Sequence, residues 1–230
     1  FRKIMNWDDS GFLLSKNKYN ENSVIAEFFT KDHGKVSGIL FGGTSKKIKN
    51  YLQIGNKFQI NYTFKDVNKI GYFKIEIIKA TTPLYFDHKK KLLCLSSAFN
   101  LIKILTADYQ ANLMIYELID NFFDILKLPH WIKEYIFWEL RLLKVLGYDL
   151  QLKNIVNVEK INNEIKYYVK NSTEKKIIPN FLIENSSDDF NKTDLLKGLK
   201  LVGDYLDKSV FKPNNINYPD SRFHFVNMLK

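Results

Sequence analysis

Apolar positions along the first third of the chain recur every second residue, in short runs set off by turn residues. Within Lys57–Phe64, the residues Phe58, Ile60, Tyr62 and Phe64 alternate with Gln59, Asn61 and Thr63, the period of a half-buried strand. Tyr72-Phe73-Lys74-Ile75-Glu76 alternates again inside Ile70–Ile78, after the turn residues Asp66-Val67-Asn68-Lys69. Upstream, Phe12-Leu13-Leu14, Val24–Phe29 and Val36–Phe41 are β-prone apolar runs. Thr30-Lys31-Asp32-His33-Gly34 is turn chemistry and joins the last two as a hairpin. Five short strands between Gly11 and Lys79 predict a small Greek-key barrel such as an OB-fold; an SH3-like barrel carries the same signature.

After Thr82-Pro83 the period changes to that of helices. Leu92, Leu95, Phe99, Ile102 and Leu105 form one stripe, with Cys94 on the same apolar face. Leu113, Tyr116, Ile119, Phe123 and Leu126 form a second stripe, in a helix over Asn112–Leu126 that Leu128-Pro129 ends. A third helix covers Trp131–Leu146 and stops at Gly147, a C-terminal capping glycine. Residues 149–185 are polar, with short β-like runs at Ile165–Val169 and Lys176–Ile178. Thr193 then reads as the N-cap of a long helix built on Leu195, Leu196, Leu199, Val202 and Leu206. A Pro/Asn-rich link, Pro213 to Pro219, precedes a last short helix through Arg222, Phe225, Val226 and Leu229. The fold class is therefore α+β: an N-terminal barrel, then a mainly helical domain with a small β-containing insertion. The boundaries are 1–80 for the barrel, 81–148 for the helical domain and 149–230 for the C-terminal region.

Composition narrows the function. The chain has 230 residues and an ordinary hydrophobic fraction of 45%. No apolar run approaches the ~20 residues of a membrane span, and the N-terminus has no hydrophobic signal-peptide core. Phe1 to Ile4 precede the first methionine, Met5, and carry no weight in the reading. Cys94 is the only cysteine, so no intrachain disulfide forms, which is compatible with a reducing compartment. The net charge of +10 points to a polyanion, and its distribution sharpens this. Residues 1–80 hold 14 basic against 7 acidic side chains (+7), residues 81–150 hold 8 against 8, and residues 151–230 hold 13 against 10. A uniform lysine bias would not leave the middle neutral, so the charge belongs mainly to the barrel.

Catalytic patterns are missing. The sequence has no Gly-x4-Gly-Lys-Ser/Thr loop, no Gly-x-Gly-x-x-Gly, no His-Glu-x-x-His and no nucleophile elbow. His33, His88, His130 and His224 are scattered near turns or helix ends and read as surface residues. Asp8-Asp9 are adjacent on a strand and so point to opposite faces, which does not suit a shared metal. No enzyme, cofactor or metal is expected.

The most informative stretch is Asn22 to Lys49, the hairpin followed by Gly42-Gly43 and a loop with Lys46, Lys47 and Lys49. A glycine-loosened loop brings backbone close to an anion, and the lysines supply point charges there. With Gly11 to Leu14, Tyr19 to Ser23, Phe29-Thr30, His33-Gly34-Lys35 and Leu52-Gln53 in the same order, the stretch resembles the opening of the bacterial DNA repair protein RecO family. Trp138-Glu139-Leu140-Arg141-Leu142-Leu143-Lys144-Val145-Leu146-Gly147-Tyr148 is similar to that family's Phe-Glu-Leu-x-Leu-Leu-x-x-Leu-Gly-Tyr motif. Its structural reading places Leu140, Leu143 and Leu146 in the core, with Glu139 satisfying a nearby donor.

The resemblance implies an OB-fold and a recombination mediator that works without nucleotide hydrolysis. Such a protein binds single- and double-stranded DNA, anneals complementary strands, contacts the acidic C-terminal tail of the single-stranded DNA-binding protein, and with RecR helps load RecA. It implies a cytoplasmic, nucleoid-associated location. Many relatives hold a four-cysteine zinc site in the region equivalent to 149–185; this chain has no cysteine there, so a site of that kind does not form. Electrostatics and stacking nominate Lys16, Lys18, Lys35, Lys46, Lys47 and Lys49 for phosphates and Tyr19, Tyr51 and Tyr62 for bases. Phe41 stands where many relatives have a basic residue. Lys133 and Arg141 are the nearest cations for the acidic tail, since Ile136 and Phe137 occupy the positions that are basic in relatives. An RNA-binding or ribosome-associated OB module is the alternative reading, and a DNA-processing nuclease is a second, against which the lack of clustered carboxylates argues.

Overall fold

The computed structural model describes residues 5–66, 69–161, 164–170, 175–184 and 190–230. Val67-Asn68 of the expected turn lie outside the described residues. The chain forms two compact units, one reaching to Phe123 and including Pro219–Phe225, the other comprising Asp124–Tyr218 and Val226–Lys230.

The first unit is built on a closed barrel. Strands β1 (Met5–Lys18), β2 (Ser23–Thr30), β3 (Gly34–Phe41), β4 (Lys57–Phe64) and β5 (Gly71–Lys79) follow one another in the ring order β1-β2-β3-β5-β4, with β4 returning to β1. Every pairing is antiparallel except β3 with β5. That order and the one parallel contact are those of an OB-fold, which decides between the two barrels left open by periodicity. Strand β1 is much longer than Phe12-Leu13-Leu14: it spans 14 residues, pairing with β4 through its first half and with β2 through its second. Its first half was hidden because Asn6 and Asp8 face solvent and the inward position between them and Gly11 is the acidic Asp9.

The barrel interior is closed by Leu13, Ala26, Phe28, Val36, Phe58 and Ile60, each buried. Phe28 meets the Phe58 and Phe73 rings edge-on, with centroids 5.6 and 5.1 Å away. Gly38 allows this packing: a Cβ there would stand 2.6 Å from the Phe73 ring. The adjacent carboxylates part as expected. Asp8 is exposed and accepts from the Asn61 amide at 3.0 Å, whereas the Asp9 side chain is buried. Asp9 accepts hydrogen bonds from the backbone N–H of Ser10 (2.7 Å) and of Asp32 (2.9 Å), and its Oδ2 lies 2.8 Å from His33 Nδ1. His33 is thus more than a surface residue: it clips the hairpin turn to β1, with its ring stacked on Trp7 at 3.9 Å.

Between β3 and β4 the expected loop contains a short helix, α1 (Lys46–Tyr51), whose N-cap Ser45 accepts from the Ile48 N–H. Helix α2 (Lys89–Leu105) buries Cys94, Leu95, Ala98, Phe99, Leu101 and Ile102. In α3 (Leu113–Ile125), Ile115, Tyr116, Ile119, Phe122 and Phe123 are buried, while Leu113 is exposed. A charged network ties α2 to the barrel. Lys103 Nζ lies 2.9 Å from Glu27, and Lys35 Nζ donates to the Lys103 carbonyl at 2.7 Å while pairing with Asp108 at 3.2 Å.

Burial alone would raise the Glu27 carboxyl, but hydrogen bonds from Ser15 and Lys103 and the nearby charge of Lys35 outweigh it and hold the group below its ordinary value near 4.5. A depressed carboxyl stabilises the fold fully above the ordinary value and loses that contribution as pH falls through the folded one. Glu27→Gln should therefore cost about 1–2 kcal/mol at pH 7. In urea melts at several pH values, the gap to the parent should narrow only below pH 4.5. A gap that is constant down to acid would disprove the assignment.

In the second unit, helix α4 (Trp131–Val145) carries the Trp138–Tyr148 motif up to Val145, with Leu146 as its C-cap. Trp138, Leu142 and Leu143 are buried, but Leu140 and Leu146 are only partly so, because the buried face is set by Tyr135, Ile136 and Glu139 one turn earlier. Glu139 accepts from the Tyr135 hydroxyl at 2.8 Å, a satisfied buried carboxylate. A short helix α5 (Leu152–Ile155) leads into an antiparallel sheet of β6 (Asn157–Ile161), β7 (Glu164–Lys170) and β8 (Lys175–Ile178). Two of these strands match the expected runs; β6, with the sequence Asn-Val-Glu-Lys-Ile, has no apolar alternation strong enough to announce it. Helix α6 (Phe181–Glu184) buries Phe181, Leu182 and Ile183. The N-cap of helix α7 (Lys192–Tyr205) lies two residues before the expected Thr193. Asn191 caps it, accepting from the Asp194 N–H at 3.1 Å while Asp194 accepts from the Asn191 N–H at 3.2 Å. It packs by Gly198 against Phe181 and Ile136, then widens into a π-helical turn over Leu206–Phe211. The last helix, α8 (Asp220–Leu229), whose residues up to Phe225 belong to the first unit, buries Arg222, Phe225 and Leu229. Among the described residues no helix is long and apolar enough to cross a membrane.

Candidate nucleic-acid interface

One end of the barrel gathers most of the basic residues nominated above, Lys35 excepted. Strand β1 ends at Lys18, opposite Val24 at the start of β2, and Val24 lies opposite Leu40 near the end of β3. The β3–α1 turn folds back over this end. Gly42 takes a positive φ of 71° and donates to the Asn22 carbonyl, and Gly43 lies so close to Val24 that a Cβ would stand 2.6 Å from its methyl. The result is a cleft of about 360 Å³ lined by Lys16, Lys18 and Lys49, with Thr44, Asn17 and the acidic Glu21 also on its walls. Thr44 holds the turn by donating its hydroxyl to the Glu21 carbonyl at 2.7 Å.

The lysines differ in availability. Lys18, Lys46, Lys47 and Lys49 are exposed. Lys16 is half-buried and donates to the Leu52 carbonyl; burial, and then the neighbouring Lys49 charge, lower its pKa below the ordinary lysine value. Like charges held together in this way favour an anion between them. Lys35 is a different case. Its ammonium is engaged by Lys103 and Asp108 and its side chain is only 11% exposed, so it supports α2 rather than facing a phosphate.

The aromatic candidates also sort by burial. Tyr62, only 2% exposed, is a core residue: its hydroxyl donates to the Ser37 carbonyl at 3.2 Å and accepts from the Gly71 N–H at 2.9 Å. Burial, and then its contact with Tyr109, push that hydroxyl well above its ordinary pKa. A base has no access to that ring. Tyr51 is partly buried, packed on the core beside Phe58 with centroids 6.2 Å apart. Tyr19 is 57% exposed at the β1–β2 turn. Period-two reading alone marked Tyr62 correctly as one face of a strand, but could not say that this face was the inside of a closed barrel.

The sequence missed another pair. Phe41, at the end of β3, and Tyr72, near the start of β5, are both exposed, and their rings stack with centroids 5.3 Å apart and planes inclined by 13°. The parallel register Ile39↔Tyr72 and Leu40↔Phe73 brings them together. Only the β3–β5 pairing, not visible in the linear sequence, reveals it.

The two helical candidates do not share a setting. Lys133 is buried near the start of α4, with its ammonium 5.0 Å from the centre of the Phe190 ring. Arg141, two turns further on, is exposed. Among the described residues no group of three or more His, Cys, Asp or Glu stands together to hold a metal ion. In residues 149–185 the described part forms the three-stranded sheet β6–β8 and its flanking helices.

The chain's likeness to known proteins bears on what this surface is for. Residues 5–81 match the family described as Recombination protein O N terminal, and residues 89–215 match Recombination protein O C terminal. The DNA repair protein RecO of Rhodospirillum centenum is 25% identical, over 96% of this chain and 94% of that protein. That of Wolbachia pipientis wMel is 25% identical over 95% and 98%. That of Rickettsia canadensis is 31% identical over 80% of each. With the barrel falling within the first matched region and α2 to α7 within the second, the chain belongs to the RecO family of DNA repair and recombination proteins.

Proposed function

We propose that the chain is a recombination mediator whose barrel binds single- and double-stranded DNA through the cleft beside the Gly42-Gly43 turn. The carrying observation is the convergence of Lys16, Lys18 and Lys49 on one cleft, with Lys46 and Lys47 exposed on the adjoining helix. Annealing requires two phosphate backbones to approach, and lysines that displace their counterions lower that barrier in a salt-dependent way. The barrel's +7 supplies the charge. Family membership supports the wider role: acting on strands coated by single-stranded DNA-binding protein, and with RecR promoting RecA loading. The acidic tail of the coat protein would engage α4, where Arg141 is exposed and Lys133 lies too deep for first contact.

The test is annealing of complementary strands pre-coated with the cognate single-stranded DNA-binding protein, without ATP, across a salt series. Fast annealing on intact coat, loss on tail-deleted coat and weakening with salt are the expected results. Failure to anneal coated strands at any salt would leave a basic OB module of another kind and overturn the mediator role.

A further inference from the structure

The lysine cleft accounts for phosphates, but no aromatic ring is among its lining residues. Phe41 and Tyr72 do. Phe41 is 61% exposed and Tyr72 40% exposed, yet the two rings lie nearly parallel in contact. Large aromatic rings held out in solvent and already aligned suit a planar partner, because a further ring adds to the stack with little ordering cost. Their position matches the cleft's. Phe41 lies opposite Ser23 on β2, next to the Val24 that forms the cleft wall, and only the Gly42-Gly43 turn separates it from the cleft residue Thr44. Charge continues on the other side. Lys74 shares the outward face of β5 with Tyr72, and Lys65 and Lys69 stand exposed in the β4–β5 connection beside the Thr63↔Tyr72 pair.

We propose that the Phe41–Tyr72 pair is a base-stacking platform for single-stranded DNA, continuous with the lysine cleft across the Gly42-Gly43 turn. The inference rests on the DNA-binding reading above and adds to it where the bases go. Phosphates follow the lysines on either side, while one or two bases unstack from the strand and lie against the rings. Stacking is tolerant of sequence because every base has a π-face. The platform therefore favours single strands over duplex, whose bases are already stacked on one another.

The experiment measures binding of the full-length chain to a labelled thymidine 15-mer and to an abasic 15-mer with the same phosphate backbone. The parent should bind the thymidine strand more tightly. Phe41→Ala or Tyr72→Ala should weaken thymidine binding about tenfold, leaving abasic binding and the salt slope unchanged, since no lysine is touched. Phe41→Trp should restore affinity, and its indole emission should be quenched by the thymidine strand but not by the abasic one. Alanine variants that bind the thymidine strand like the parent, or an unquenched Phe41→Trp, would overturn the platform and leave lysine-based DNA binding standing. Equal loss on both oligomers would also overturn it, since the pair would then act through something other than bases. If the parent binds neither oligomer, the DNA-binding reading falls and the platform with it.

Discussion

Replacing Lys18, Lys47 and Lys49 together with glutamine is expected to lower affinity for single-stranded DNA about 100-fold at 0.1 M salt. Each lysine that neutralises a phosphate releases condensed counterion and contributes roughly 0.7 to the slope of log affinity against log salt. Three such contacts contribute about 2 to that slope, and at 0.1 M salt a slope of 2 is worth about two decades of affinity. All three are exposed, so glutamine should leave the fold intact. Lys16 is left in place because its ammonium also holds the Leu52 carbonyl, where a substitution would mix binding with stability. A binding titration from 50 to 400 mM salt reads both quantities at once. Loss of affinity with an unchanged slope would mean that the lysines act other than on phosphates. No loss at all would move the interface elsewhere on the molecule.

Lys35 serves as the internal control. It was nominated from the same run of sequence, yet it is anchored between Lys103 and Asp108. Its substitution should alter stability more than the salt slope. That contrast shows where the sequence stops being informative. Alternation in Lys57–Phe64 and Tyr72–Glu76 was enough to place strands β4 and β5, and helical stripes placed α2, α3 and α4 closely. Apart from the short apolar helix α6, the elements missed are largely polar in sequence. The first half of β1 passes through Asn6, Asp8 and Asp9, α1 is half lysine, and β6 is Asn-Val-Glu-Lys-Ile. In each, backbone pairing or a cap decides the structure and apolar burial contributes little, so periodicity has nothing to report.

The site divides along the same line. Lysines on a glycine turn are legible because composition and local chain chemistry suffice to place them near each other. Which lysines are free and which are tied down depends on partners distant in sequence, as Asp108 is from Lys35. Aromatics are less legible still. Tyr62 and Tyr72 are both strand tyrosines, but one fills the barrel and the other stands outside it against Phe41. The difference follows from barrel closure and from the parallel β3–β5 register, neither of which has a local signature.

That closure depends on a small aromatic core, and Phe28→Ala is expected to expose the dependence. Phe28 is wholly buried in β2, between the edge-on rings of Phe58 and Phe73. Truncation removes its transfer free energy and leaves a cavity that its neighbours fill only in part, a combined cost of about 3–5 kcal/mol. Neighbouring strands restrict collapse, since Phe73 is already pressed against the backbone at Gly38. The value should therefore fall in the upper part of that range. Phe28→Leu keeps much of the volume and loses mainly the ring-edge contacts, so it should cost about 1.5 kcal/mol. Urea unfolding followed by circular dichroism measures both. The functional consequence follows from geometry: the Lys18–Val24 and Leu40–Phe73 pairings that assemble the cleft and the aromatic pair are barrel pairings. Loss of DNA binding by Phe28→Ala should track the unfolded fraction as temperature rises and recover on cooling. A variant that stays folded by dichroism yet has lost binding would show that the barrel interior shapes the surface directly. A loss of stability below about 1 kcal/mol would mean that the three-ring cluster is not the barrel's structural centre.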